Sequence, residues 1–511
     1  MTHITATRRS LMIQFPEGGR KPVRAIACAL FAALLAGCAA GPDFERPAPP
    51  DVGAYTATPP ATQTASSATA LGQAQRIGAG SELSAQWWRT LGSASLDAWI
   101  EQALQASPTL ASAQAALRQA QELRAAQAGS TLYPQVDAGV SAQRQRLNPS
   151  AQGQPGQARE FDLYSASLGV HYRLDLSGGN RRALEALAAR TEYRRHELRG
   201  ARLALAASIT TTAIARARLA GQIAATQAMV QAQDEQLALT QERVRLGHAA
   251  PDDVLALRTQ AEQTRAGLPP LRKQLDQSEH LLATLAGQPP GAANVPAFTL
   301  EEFSLPTDLP LVLPSELVRR RPDILGAEAL LHASTAEYGV AVAKLYPQLN
   351  LSASLGSQAL SAGALFGGAT AAWSLLAQLT QPLFNPGLPA EKRAALAAVD
   401  AAAANYQGVV LNALRDVSDV LRALEHDAQA LASLASADAA AQASLDSVRR
   451  QYGLGTASYL QTVIARQQAQ QIRIGLIAAQ AQRLVDSAAL HQALGGGYVE
   501  ESLGPSARAA L

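Results

Sequence analysis

The chain has 511 residues, a formal net charge of +2, 48% hydrophobic and 16% charged residues, and only 8 Phe, 4 Trp and 11 Tyr. Alanine and leucine therefore carry much of the apolar content, which favours long, closely packed helices over a bulky aromatic core and excludes a disordered chain. Its 2 cysteines exclude a disulfide framework, a cysteine-rich zinc module and an iron–sulfur cluster.

Residues 1–24 carry Arg8, Arg9, Arg20, Lys21 and Arg24 against one acid, Glu17. An apolar run, Ala25 to Ala36, follows; it is too short to span a bilayer and ends in Leu35-Ala36-Gly37-Cys38. A basic region, a short apolar region and small residues before a cleavage point mark residues 1–37 as a secretory signal peptide. The ending is a bacterial lipobox, in which the Cys38 thiol takes a diacylglycerol and cleavage makes Cys38 the first residue. The competing reading is an ordinary signal with a chance cysteine. Cleavage removes five basic residues and one acid, leaving 38 and 40, a net charge of −2. No basic patch then points to nucleic acid. The mature chain lacks the roughly 18 consecutive apolar residues of a membrane-spanning helix, so any crossing must use strands.

Residues 38–85 are rich in Pro, Ala, Thr and Ser and read as an extended tether. Helical patterning begins at Trp87-Trp88, with an Ala/Gln/Leu segment between 100 and 128. The period then changes. Tyr164, Ala166, Leu168, Val170, Tyr172 and Leu174 share one face, and Ser165, Ser167, Gly169, His171 and Arg173 share the other. Apolar alternation of this length, with aromatics near an end, fits a transmembrane barrel strand, whose apolar face would meet lipid. Residues 131–147 offer a weaker partner strand across a loop at 148–159. From Asn180 to Leu246 runs a proline-free stretch of 67 residues. As one helix it would reach about 100 Å, far beyond a globular helix.

The pattern then repeats. Tyr133-Pro134-Gln135 returns as Tyr346-Pro347-Gln348, Arg245-Leu246-Gly247 precedes Val254-Leu255 as Tyr452-Gly453-Leu454-Gly455 precedes Tyr459-Leu460, and Leu285-Ala286-Gly287 returns as Ala493-Leu494-Gly495. Residues 86–290 and 316–497 are thus expected to be structural duplicates, joined by a connector at 291–315 and followed by a tail at 498–511.

Motifs for catalysis do not appear. The eight histidines are scattered, and there is no phosphate-binding loop, dinucleotide fingerprint or nucleophile elbow. Asp252-Asp253 is a carboxylate pair, and at a helix start such a pair caps the helix and complements its dipole. We expect no catalytic residue, no metal site and no cofactor beyond the covalent lipid on Cys38.

Several segments together resemble the outer-membrane factors of bacterial tripartite efflux pumps, the TolC-like family, in the lipoprotein branch that serves resistance-nodulation-division pumps. They are Gly41-Pro42-Asp43-Phe44-Glu45-Arg46-Pro47, Trp87-Trp88 with Ile100-Glu101-Gln102-Ala103-Leu104, Arg319-Arg320-Arg321-Pro322-Asp323-Ile324, Pro382-Leu383-Phe384-Asn385-Pro386-Gly387 and Ala493-Leu494-Gly495-Gly496-Gly497-Tyr498. The resemblance implies a mixed α and β membrane protein. It would be a homotrimer with a 12-stranded outer-membrane β-barrel, four strands per subunit, continued by a long periplasmic α-helical barrel. It implies a passive exit duct for drugs, other toxic compounds or metal ions, partnered by a periplasmic adaptor protein and an inner-membrane pump. It places two turns at the adaptor-docking tip: Arg245, Leu246, Gly247 and His248, and Gly453, Leu454, Gly455 and Thr456. It also places Asp253, with Gln461 and Ile464 at the corresponding places of the second repeat, at a pore constriction. The alternative is a structural or adhesive outer-membrane lipoprotein with a coiled-coil stalk, which leaves the alternating segments and the duplication unexplained.

Overall fold

A computed structural model describes residues 39–78, 83–149, 153, 155–368 and 370–497; the expected signal segment, Cys38 and the tail at 498–511 lie outside the described residues. The chain divides into two units. One holds the N-terminal segment to Phe44, residues 123–187 and 333–399; the other holds 45–122, 188–332 and the remainder from Asp400.

The first unit is built on a sheet of four strands, β2 (Gln135–Leu147), β3 (Arg159–Leu174), β5 (Gln348–Ala359) and β6 (Ala371–Thr380). The order is β2-β3-β5-β6, antiparallel throughout, so β2 and β6 are its edges. Each hairpin begins just after a proline, Pro134 or Pro347, which cannot extend the preceding helix. Those helices are α2 (Pro108–Leu132) and α7 (Pro322–Ala343).

The second unit is helical and, among the described residues, holds one short two-stranded sheet. After a 3-10 turn at Trp87–Leu91 come α1 (Ala94–Ala106), then α3 (Gly179–Arg245), α4 (Pro251–Ala266), α5 (Leu268–Leu285), the short α6 (Pro314–Leu317), α8 (Gly387–Gly453) and α9 (Tyr459–Ala493). The domain division cuts α2, α3, α7 and α8. Helices α3 and α8 are each 67 residues long. The expected stretch Asn180–Leu246 is thus helical with a shift of one residue. The buried positions of α8 explain its length. From Val410 through Ala413, Val417, Leu421, Leu424 and Ala428 to Leu431, six steps cover 21 residues, a mean of 3.5. That is a coiled-coil seam, which gives the helix tertiary partners between Tyr406 and Leu445.

Two larger apolar cores, with a small third cluster at Ala441, Leu445 and Ala469, form among the described residues of this unit. One gathers Trp87, Trp88, Ile100, Ile209, Ile214, Leu282 and Phe298 with Leu484. The other gathers Leu309, Leu317 and Ile324 with Val417, Leu421 and Leu490. Trp87 stacks on His491 with ring centroids 5.5 Å apart, and burial lowers the His491 pKa to about 4, keeping it neutral.

The N-terminal segment is extended, as its composition implies, but it is packed. Within the second unit Tyr55 donates to the Val312 carbonyl (2.9 Å), Ser418 donates to the Tyr55 carbonyl (2.8 Å) and Arg422 donates to that of Thr58 (2.6 Å). Residues Arg76–Gly78 form β1, parallel to β4 (Asp308–Pro310). Gln75, fully buried, donates to Pro306 O (2.8 Å) and Ser487 Oγ (2.9 Å) and accepts from Arg483 (2.7 Å). Buried polar contacts of this kind fix the segment's path, which proline and alanine content alone does not reveal.

Candidate functional site

Two regions carry the residues singled out by sequence. The first is the sheet. Its register places Tyr164, Leu168, Val170, Tyr172 and Leu174 of β3 on one face, in line with Ala142, Ala138 and Val136 of β2, with Leu355, Ala353, Leu351 and Leu349 of β5, and with Trp373, Leu375, Ala377 and Leu379 of β6. The opposite face carries Asp137, Gly139 and Ser141, Ser165, Ser167, His171 and Arg173, then Asn350, Ser352 and Ser354, and Ser374 and Gln378. Serine pairs hydrogen-bond across it, Ser141 with Ser165 at 2.7 Å and Ser354 with Ser374 at 2.8 Å. Leu376 is the one large apolar side chain of β6 in that polar register. The period-2 pattern read in β3 therefore holds across all four strands. In a single chain the apolar face is bare: Trp373 is 79% and Leu375 75% exposed. A face of that area needs lipid or another subunit against it.

The second region is the pair of helix ends in the helical unit. At the end of α3, His248 N–H donates to Arg243 O (2.8 Å) and Gly247 N–H to Val244 O (3.0 Å), with Gly247 at φ 73°. At the end of α8, Thr456 N–H donates to Gln451 O (2.9 Å) and Gly455 N–H to Tyr452 O (3.0 Å), with Gly455 at φ 75°. Both are the same left-handed helix stop, in which glycine avoids the Cβ penalty. Each turn pushes a leucine out, Leu246 and Leu454, the latter 80% exposed.

The next helices begin alike. In α9 the Ser458 hydroxyl accepts from Gln461 N–H (3.3 Å), and the Gln461 side chain accepts from Ser458 N–H (2.7 Å). In α4 the Asp253 carboxylate accepts from Ala250 N–H (3.3 Å), while Ala250 has no side-chain oxygen to return the bond. Asp253 and Gln461 are thus equivalent third-position capping residues, so part of their side-chain chemistry serves the helix start. Burial chiefly raises the Tyr459 phenol to about 12, with Arg466 opposing the rise and Tyr452 and the charge of Asp253 adding to it. Gln461 and Ile464 are exposed on the first turns of α9.

Sequence reasoning missed what joins the two tips. Arg243 donates to the Tyr452 hydroxyl, and its guanidinium lies 5.4 Å from the Tyr452 ring centroid. Tyr452 in turn meets Tyr459 edge-on at 5.7 Å. Deeper, Arg466 donates to the Ala232 carbonyl (3.3 Å), and burial lowers its pKa, with Arg449 adding to the effect. Each hairpin also carries an ion pair between its arms: Arg265 binds both Asp234 oxygens at 2.9 Å, and Arg473 reaches Asp438 at 3.4 Å. The only sequence signal was position: Arg243 and Tyr452 both lie in the last turn of a 67-residue helix. Among the described residues, no group of three or more His, Cys, Asp or Glu is placed to hold a metal ion.

Comparison with known proteins agrees with this geometry. The family described as outer membrane efflux protein matches residues 99–288 and 313–496. Outer membrane protein OprJ of Pseudomonas aeruginosa is 29% identical over 490 residues, covering 94% of this chain and 97% of that protein. A probable efflux pump outer membrane protein, TtgC of Pseudomonas putida, is 31% identical over 387 residues, covering 73% of this chain and 77% of its own length. The solved structure of the outer-membrane channel OprN superimposes with a TM-score of 0.80 at 28% identity, covering 90% of this chain and 99% of that one.

Proposed function

The chain belongs to the outer membrane efflux protein family, and from that premise we propose how it works as the outer-membrane exit duct of a tripartite efflux system. One observation carries the reading: the sheet is apolar on one face, polar on the other, and has two unpaired edges. Four strands cannot close a barrel, and open edges cannot sit in lipid. Three copies, pairing β2 of one with β6 of the next, close a barrel with its apolar face to lipid and its serine-rich face to a lumen. Helices of three copies line a periplasmic passage. Transport is passive, with no catalytic step and no cofactor beyond lipid on Cys38, and the pump and adaptor select the cargo, whether drugs, other toxic compounds or metal ions.

The tips Arg245-Leu246-Gly247-His248 and Gly453-Leu454-Gly455-Thr456 meet the adaptor, the exposed leucines supplying apolar anchors. Asp253, Gln461 and Ile464 narrow the passage. Acid comes from one repeat only, so three carboxylates in the trimer give mild cation preference. The Arg243–Tyr452 contact holds the two tips of a subunit together in the resting state.

Barrel closure is tested by disulfide cross-linking between single cysteines placed along β2 and β6. The mature chain offers a clean background, because Cys28 leaves with the signal and Cys38 is acylated. Closure predicts covalent dimers and trimers and nothing larger. Cross-links that continue into higher ladders, or none at any register, rule it out.

A further inference from the structure

In the sheet unit the first described residues of the chain are inlaid, and a single buried side chain holds them. Arg182, in the first turn of α3, is 4% exposed. All three of its guanidinium nitrogens are engaged. Nε donates to Ala40 O (3.1 Å), Nη1 to Glu185 Oε2 (2.7 Å), and Nη2 to Gly41 O (3.3 Å) and Asp43 Oδ1 (2.6 Å). The backbone adds a further bond, Ala40 N–H to Ser177 O at 2.8 Å. The surface beneath is cut to fit. Gly41 sits at φ 82°, and a Cβ there would lie 2.7 Å from the Cα of Gly339. A Cβ on Gly339 would in turn lie 2.8 Å from Ala40 O and 2.9 Å from Arg182 Cγ. Two backbones therefore approach as closely as glycine allows, with Arg182 packed beside them.

Burying a guanidinium is costly unless its donors are satisfied, and here two carbonyls and two carboxylates satisfy it. Asp43 is otherwise solvent-exposed, so its carboxylate is recruited to the arginine rather than buried for its own sake. A rigid fork reaching backbone carbonyls and a carboxylate together is a task for Arg and not for Lys, whose ammonium is a point charge. Nothing in barrel closure or tip docking requires this clamp. What it does fix is the first described residues, Ala40 to Asp43. Ala39 follows Cys38 directly, and consecutive Cα atoms are about 3.8 Å apart.

We propose that Arg182 is a positioning residue that rivets the Ala39–Asp43 strap to the sheet unit and thereby sets where the acylated N-terminus enters the membrane. The proposal rests on the lipidation of Cys38 put forward above. An acyl group on a loose leader would be a nonspecific anchor; the strap instead holds Ala39 and Ala40, just after Cys38 in sequence, beside Ser177 and Gly178 after the end of β3.

The test uses the full lipidated protein in detergent, with single-cysteine variants Ala40→Cys and, as an exposed control, Glu45→Cys. Labelling by a polar maleimide is timed, and intact mass reports the lipid. Ala40→Cys should label at least tenfold more slowly than the control. Adding Arg182→Met or Arg182→Lys should remove that protection, while Asp43→Ala, which deletes only the exposed partner, should remove part of it. Elution as a trimer in size-exclusion chromatography checks that each variant has folded. A lipidated chain whose Ala40→Cys thiol labels as fast as the control, or whose protection survives both Arg182 changes, overturns the clamp. A chain without the lipid mass overturns the Cys38 reading and with it any role of the strap in placing an acyl group.

Discussion

Placing an arginine on either face of β3 tests the barrel register most sharply. The apolar face runs from Tyr164 to Leu174, ten residue steps. At roughly 3.3 Å per step this is about 33 Å along the strand, and at a tilt near 40° about 25 Å in height, the thickness of a barrel's apolar band. Leu168 lies near its middle, in a row with Ala138, Leu355 and Trp373. Leu168→Arg should therefore cost about 2–4 kcal/mol per subunit. Three distant copies add, giving about 6–12 kcal/mol per trimer. The neighbouring Ser167 lies in a row with Gly139, Gly356 and Ala372, the smallest side chains available, which leaves room for an arginine and its water. Ser167→Arg should cost less than about 0.5 kcal/mol, as an ordinary surface change does. Urea unfolding from lipid vesicles, followed by tryptophan fluorescence and by the heat-resistant trimer on gels, separates the two. Equal losses, or a larger loss from Ser167→Arg, would refute the assignment of faces.

Other outcomes follow from the same structure. Cys38→Ser should abolish labelling with radiolabelled palmitate yet leave the protein in the outer membrane fraction, because one acyl chain adds little to a barrel. Asp253→Asn, which keeps a capping oxygen but removes charge, should weaken cation preference measured as a reversal potential across a salt gradient; Asp253→Ala should do the same and also cost about 1 kcal/mol in tip stability. Burial lifts the Asp486 carboxyl from 3.8 to about 7, with a bond from Gln482 opposing the rise and the neighbouring Asp427 adding to it. The native state then holds a proton that the unfolded chain releases, so stability should fall as pH rises from about 4 to about 7 and level off above. Thermal melts of Asp486→Asn across that range should show a flatter slope; an unchanged slope would remove Asp486 as its source.

Much of the fold was legible because two periods dominate the chain. The alternation of β3 fixed its faces before any partner was known, since a one-residue slip would invert every side chain. The long proline-free stretch and its glycine stop gave α3 almost to the residue, whereas the bounds of α8, which carries Pro389 in its first turn, were not read. The repeat was legible too, although the halves differ where chemistry differs. The first repeat breaks between α4 and α5 at Gly267, where Pro269 and Pro270 enter the first turn of α5, whereas α9 runs unbroken for 35 residues. What sequence did not disclose were long-range polar contacts. Arg182 reaches Ala40, 142 positions away, Arg243 reaches Tyr452, 209 away, and Gln75 meets Ser487, 412 away. No local pattern marks such pairs. Asp253 was legible as a helix-start residue from the Asp252-Asp253 pair, whereas the reciprocal cap of Gln461 with Ser458 was not read from the sequence.

The central claim, a duct rather than a stalk, is tested most directly by single-channel recording of the purified trimer in planar bilayers, alongside a variant carrying Arg243→Ala and Tyr452→Phe. The account predicts discrete conductance steps in a membrane-inserted protein, larger or more frequent in the variant whose tips are released. Inserted, heat-resistant protein that conducts in neither form would contradict it.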